Sequence, residues 1–367
     1  MKLKTLLLSA VMLALPVVAL AEDKDGAKAA KDIGIAENPN QVRGDEITPR
    51  QKDAVEKGLA YLATKQGKDG SFGAAQSGYG AHTGITSLCG LAFMEAGNLP
   101  GRGKYGDNVK RAVQFILNNS QDSGLLAADN SNGVMYSHGF ATVFLGEVYG
   151  MTGDEEIKDK LKKAVMLIQK TQSQQPASKG GWRYNPVPFD ADISVTICEI
   201  MGLRAARDAG IKVEKETIDN AIAYVKRCQN PDGGFSYVAN QGGGGGSGFE
   251  RSAAGCAALY YAGVFEGDDL KRGLNYVIKF LPSNGSAANS GHYFYGNYYA
   301  VQTMFLAGGD YWAKWYPAIR EQLISRQQAN GGWAGEISEE YCTGIALIIL
   351  QMPNRYLPVF HGKGPGS

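Results

Sequence analysis

The 367-residue sequence predicts an all-α fold, a single (α/α)6 toroid of six helical hairpins. Three observations carry that expectation. From Thr48 onward a unit recurs with a period of roughly 50 residues, in the range of helical arrays. Each unit pairs an amphipathic helix with one that is apolar nearly all round. The turn between them is built from Gln, Asp or Asn, Gly and an aromatic residue.

The amphipathic helices are expected at Pro49–Lys65, Asp107–Asn118, Glu155–Thr171, Lys215–Cys228, Asp268–Phe280 and Tyr311–Arg326. Their apolar residues recur every three or four positions, as in AVEKGLAYLA, so one face is charged and solvated. The clearest turns run from Gln66 to Phe72, from Gln229 to Phe235 and from Gln327 to Trp333. Gly180-Gly181-Trp182 is a partial copy, and the runs from Gln121 and Ser283 are worn copies. Asp-Gly and Asn-Gly supply the positive φ that a tight reversal needs, and the aromatic residue is expected to staple the turn. The apolar partners are expected at Thr83–Ala96, Gly139–Tyr149, Ser194–Ala209, Ser252–Val264, Tyr298–Ala307 and Cys342–Leu350. An open stack of hairpins would leave one side of these six exposed, whereas closure into a ring hides both sides.

Around the repeat the chain divides simply. Lys2 and Lys4 precede an apolar run from Leu6 to Val18, and Ala19-Leu20-Ala21 follows as a small-x-small cleavage site. Residues 1–21 therefore read as a signal peptide. Residues 22–46 read as a flexible leader, 47–360 as the toroid domain and 361–367 as a disordered tail. A periplasmic or secreted address follows, with no stable membrane span after cleavage. The chain holds 37 basic and 36 acidic residues, which gives no electrostatic case for a nucleic-acid partner. Cys89, Cys198, Cys228, Cys256 and Cys342 lie far apart and form no CxxC pair; an odd count argues against a complete disulfide framework.

In a closed ring the inner helices point the same way, so their starts gather at one mouth. His82 precedes the first, His138 the second, and Asp190 and Asp192 the third. Glu250 and Arg251 precede the fourth, His292 with Tyr293 and Tyr295 the fifth, and Glu339 and Glu340 the sixth. Of these, Asp192 and Asp190 are the catalytic candidates. His82, His138, Glu250, Arg251, His292, Tyr293, Tyr295 and Glu340 are the ligand-binding candidates. Ser194 fits an N-cap for the third inner helix, with the two aspartates near its dipole. QGGGGGSG, from Gln241 to Gly248, is a flexible loop on the mouth side, a linker or a lid.

The Gln…Gly-Gly-Trp turns resemble the glutamine–tryptophan repeats of the prenyltransferase and squalene-cyclase superfamily, and the resemblance spans nearly all of residues 47–360. HYFYGNYYAVQTMF and ILQMPNRYLPVF are similar to segments of exported bacterial single-toroid members whose activity is unassigned. Asp190-Ala-Asp192-Ile-Ser194 resembles the Asp-x-Asp-Asp-Thr motif of squalene and class II diterpene cyclases. The resemblance places the proton-donating role of the middle aspartate on Asp192. Such a role needs a carboxyl kept protonated by burial or by a neighbouring acid or histidine. Ile193 departs from the motif, since an aspartate stands there in bacterial squalene cyclases.

The resemblance implies a terpene-cyclase-like protein that binds an apolar or isoprenoid ligand in its central cavity, with acid-initiated isomerase chemistry at Asp192. Aromatic faces for such a ligand are available at Tyr293, Phe294, Tyr295, Tyr298 and Tyr299, and at Phe93, Phe140, Phe144, Tyr260 and Tyr261. Squalene cyclases resemble two fused toroids at the cytoplasmic membrane face; this chain holds one toroid and carries an export signal. The alternatives are a non-catalytic toroid that presents its mouth to a peptide or protein, and a metal- or carboxylate-dependent hydrolase or lyase. No metal or other cofactor is assigned, and His82, His138, His292 and Asp192 are the set a metal would use.

Overall fold

The computed structural model describes residues 46–73, 78–128, 133–239, 245–285 and 291–361. The signal peptide, residues 22–45 of the leader, residues 241–244 of the glycine run and residues 362–367 of the tail lie outside them.

Twelve α-helices form among the described residues, in strict alternation. The outer helices are α1 (Pro49–Lys65), α3 (Gly106–Asn118), α5 (Glu155–Thr171), α7 (Lys215–Arg227), α9 (Asp268–Val277) and α11 (Gly309–Arg326). The inner helices are α2 (Thr83–Glu95), α4 (Val134–Thr152), α6 (Ile193–Asp208), α8 (Phe249–Tyr261), α10 (Tyr293–Ala307) and α12 (Glu339–Gln351). Each inner helix packs on the next, and α12 packs on α2, so the six close into a ring. Nearly every residue of α2, α6, α8 and α12 is buried, which is why their sequences show no polar stripe.

Hydrogen bonds between the first and last hairpins seal the ring. Gln51 Nε2 donates to Tyr316 Oη at 2.9 Å and to the Leu350 carbonyl at 2.5 Å. Gln351 Nε2 reaches the Ala92 carbonyl at 3.0 Å, and Tyr61 Oη donates to Glu339.

The turn glutamines are the ties of the outer layer. Gln66, Gln172, Gln229 and Gln327 each donate through Nε2 to a glycine carbonyl of their own turn, at 2.8–3.0 Å. Each also donates to a carbonyl in another outer helix or its first turn: Asn108, Thr217, Asp269 and Ala54. The last of these bonds returns from the sixth turn to α1. Phe72, Trp182, Phe235 and Trp333, the aromatic residues of these turns, are buried in the core. Trp182 and Trp333 are buried and donate Nε1–H to Ile168 and Leu323 carbonyls, at 2.7 and 2.8 Å.

Most inner helices begin earlier than their apolar runs suggest. α4 starts at Val134, α8 at Phe249, α10 at Tyr293 and α12 at Glu339, so residues expected ahead of a helix lie inside its first turns. For α10 the cap is remote: Glu336 Oε1 accepts the Phe294 and Tyr295 N–H groups at 2.8 and 3.1 Å.

The end opposite the mouth is closed by the C-terminal segment. The Leu357 N–H donates to Glu95 at 3.1 Å and the Val359 N–H to Glu147 at 3.1 Å, while Leu357, Val359 and Phe360 are buried. His361, expected at the start of the tail, still donates its N–H to the Pro358 carbonyl at 2.9 Å. Glu46, expected as the last leader residue, is buried instead; it accepts Trp312 Nε1–H at 2.6 Å and pairs with Arg355 at 3.2 Å. All five cysteines are buried and free. No helix among the described residues is long and apolar enough to cross a membrane.

Candidate functional site

A cavity of about 690 Å³ opens where the six inner helices start. That is the size of a small-molecule site. Each hairpin contributes one tyrosine to its lining: Tyr79, Tyr136, Tyr184, Tyr237, Tyr295 and Tyr341. Ile85, Leu88 and Phe140, from the first two turns of α2 and α4, form its apolar part. Ser194, His82, Glu250, Arg251, His292, Glu336 and Ile337 also line it.

Three of the tyrosine hydroxyls are tied off within the wall. Tyr136 Oη lies 2.6 Å from Ser194 Oγ, and Tyr184 and Tyr237 share a hydrogen bond between adjacent hairpins. The Arg183 guanidinium lies over both of the latter rings, at 4.8 and 5.4 Å. Tyr295 Oη is buried with no hydrogen-bond partner.

Of the residues expected at the mouth, His82, Glu250, Arg251, His292 and Tyr295 line this cavity. His82 is the N-cap of α2, its Nδ1 accepting the Ile85 N–H at 3.3 Å. The five other site candidates lie elsewhere, as does Glu339. His138 is fully buried one turn inside α4 and faces the outer layer. Its Nδ1 accepts the Leu126 N–H at 3.1 Å and its Nε2 sits 3.3 Å from the Ala164 carbonyl. Burial pushes its pKa down to about 4, so the ring is neutral. Tyr293 turns outward as well: it donates to Gln322 at 2.7 Å and lies under Arg326. Glu340 is buried between the last and first hairpins, where its backbone carbonyl faces Cys89. Asp190 is exposed, 3.6 Å from Arg183.

Asp192 is buried behind the wall. It, not Ser194, is the N-cap of α6. Its Oδ1 accepts the Ser194 N–H at 2.9 Å, the Val195 N–H at 3.0 Å and the Ser194 hydroxyl at 2.5 Å. Its Oδ2 makes no hydrogen bond and lies 3.6 Å from Arg183 Nε. Burial raises the carboxyl pKa, against the pull of these donors and of Arg183. Asp192 therefore meets the cavity through Ser194, which lines it and also bonds to Tyr136. With His138 and Asp192 both withdrawn, the expected four-residue metal set is not assembled. No group of three or more His, Cys, Asp or Glu among the described residues is placed to hold a metal.

Sequence reasoning missed Glu336, Ile337 and five of the six tyrosines. The tyrosines had a signal: Trp182-x-Tyr184 and Phe235-x-Tyr237 place one two residues after a turn aromatic. Ile337 had none. It adopts φ 66°, a region that β-branched residues rarely occupy, beside a carboxylate committed to capping α10.

Residues 141–292 match the squalene-hopene cyclase C-terminal domain, and residues 41–153 match the prenyltransferase α/α toroid domain. Both matches are to α/α toroid families, and between them they span residues 41–292. No functionally curated protein matches its sequence. Among solved structures it is similar to an inactive variant of an α-1,6-mannanase from Salegentibacter sp. HEL1_6 in complex with α-1,6-mannotriose. There the TM-score is 0.64 at 10% identity, over 83% of this chain and 99% of that one. It is also similar to the type II terpene cyclase MstE from Scytonema, with TM-score 0.57 at 13% identity over 84% and 99%. A cellobiose 2-epimerase from Bacillus thermoamylovorans gives TM-score 0.61 at 13% identity over 83% and 98%. Such low identities establish a shared fold, and the fold serves unlike chemistries.

Proposed function

We propose that this chain is an exported, terpene-cyclase-like toroid that binds an apolar, isoprenoid-type small molecule in its mouth cavity. The observation that carries the reading is the ring of six tyrosines, one per hairpin, above Ile85, Leu88 and Phe140. Aromatic faces suit an unsaturated apolar chain, and hydroxyls that bond to each other do not demand a polar ligand. The floor built from Leu357, Val359 and Phe360 leaves the mouth as the route of entry.

The geometry favours binding over direct acid catalysis by Asp192. Its Oδ1 is occupied by three donors, and no carboxyl oxygen reaches the cavity wall. Proton delivery would have to pass through the Ser194 hydroxyl, directly or by way of Tyr136. Burial holds the Tyr136 hydroxyl well above its ordinary pKa, so it is a poor terminal acid for an alkene.

The test is native mass spectrometry of purified protein mixed with farnesol or geranylgeraniol. Wild type and Asp192→Asn are expected to capture both, and Leu88→Trp, which fills the apolar end, to lose capture while keeping its helical circular dichroism. Failure of wild type to capture either alcohol would overturn the reading. Capture lost in Asp192→Asn alone would return Asp192 to direct ligand contact.

A further inference from the structure

Two arginines stand at the mouth, and they are treated differently. Arg183 is neutralised by Asp190 and Asp192, both at 3.6 Å. Arg251, in the first turn of α8 and in the cavity wall, has no ion pair among the described residues. Among the described residues its side chain donates from Nη2 to the Gly246 carbonyl at 3.0 Å, and its Nε–H is buried without a partner there. A cationic donor left unmatched in a wall costs stability unless something else fills it.

The local backbone is shaped around this guanidinium. A Cβ on Gly248 would come within 2.6 Å of Arg251 Nη2 and 3.0 Å of Nε, so the guanidinium lies close against the chain there. The loop end that carries Gly246 and Gly248 is itself fastened: Ser247 Oγ donates to Asp232 at 2.7 Å and accepts from Asn230 at 2.9 Å. The acidic neighbours are committed elsewhere. Glu336 caps α10, and the Glu250 Cγ packs beside Gly296.

We propose that Arg251 is the head-group receptor of the cavity, and that the ligand is an amphiphile with a carboxylate head and an apolar body. A guanidinium held on one edge presents its remaining N–H groups as a planar fork, the geometry that matches a carboxylate. The inference rests on the cavity reading above and narrows its ligand class.

The test compares farnesoate with farnesol, which share one apolar body, on wild type, Arg251→Gln and Arg251→Lys by isothermal titration. Wild type is expected to hold farnesoate roughly ten- to a hundred-fold more tightly than farnesol. Arg251→Gln should remove that preference by weakening farnesoate far more than farnesol, with Arg251→Lys retaining part of it. Equal affinity of wild type for the two probes, or an Arg251→Gln loss that falls equally on both, overturns the head-group role while the cavity reading stands. Binding of neither probe overturns both.

Discussion

The backbone N–H at the end of each turn needs an acceptor on the inner helix that follows. Phe72, Trp182, Phe235 and Trp333 find a hydroxyl there, from Thr86, Thr196, Ser252 and Thr343, at 2.8–3.1 Å. In the second hairpin Leu126 uses His138 Nδ1 instead. His138 is thus a structural stand-in for a hydroxyl, and a list of histidines before helices could not separate it from His82 and His292. Its depressed pKa makes it a liability in acid. The unfolded chain binds a proton below about pH 6.5, which the folded ring refuses until about pH 4, so stability is lost as pH falls through that window. His138→Thr is expected to flatten the fall in melting temperature between pH 7 and pH 4.5; an unchanged slope would show that other groups cause it. Ile337 is the opposite case, strained and 36% exposed in the cavity wall. Both properties disfavour the folded chain, which points to a role in ligand contact. Ile337→Asn, better suited to positive φ, is expected to raise unfolding free energy by about 1 kcal/mol in urea titration while weakening farnesol capture.

At the scale of elements the sequence was most informative where a rule repeats. Outer helices α1 and α5 span the residues their periodicity predicts, and the glycine turns stand where Asn-Gly and Asp-Gly place them. Inner helix starts were less legible, because burial erases the periodic signal and remote groups such as Glu336 supply the cap. The turns also show what glycine is for. Gly180 has φ 97° and faces the Asn220 carbonyl so closely that a Cβ has no room, and Gly70, Gly124, Gly233 and Gly331 repeat the approach. Gly210 has φ 86° but open space around it. Gly180→Ala is expected to cost several kcal/mol by overpacking backbone against backbone, and Gly210→Ala about 1 kcal/mol from φ alone. Equal losses in chemical denaturation would remove the steric role. The same geometry explains why Gln172 belongs beside Gly180: its two hydrogen bonds hold the next outer helix at the distance glycine permits.

The whole molecule is a ring with one end stoppered and one end open. The ring itself was legible, since six apolar helices in alternation with six amphipathic ones have few ways to bury both sides. The stopper was not, because it depends on Glu95 and Glu147 accepting backbone N–H groups from more than two hundred residues away. Burial raises the Glu147 carboxyl to about 8. Its contribution is present in full below the unfolded value near 4.5 and is lost as pH rises through about 8. Glu147→Gln should therefore flatten a fall in stability between about pH 4.5 and pH 8, opposite in sign to the His138 effect; a profile identical to wild type would mean the carboxyl is ionised in the fold. The open end gathers side chains from all six hairpins, and the functional account depends on a ligand seating there. Hydrogen exchange with and without farnesoate tests this most directly. Protection is expected at 79–88, 133–140, 292–295 and 336–341, the inner-helix starts around the cavity. Protection confined to 355–361, or to the outer helices, would contradict it.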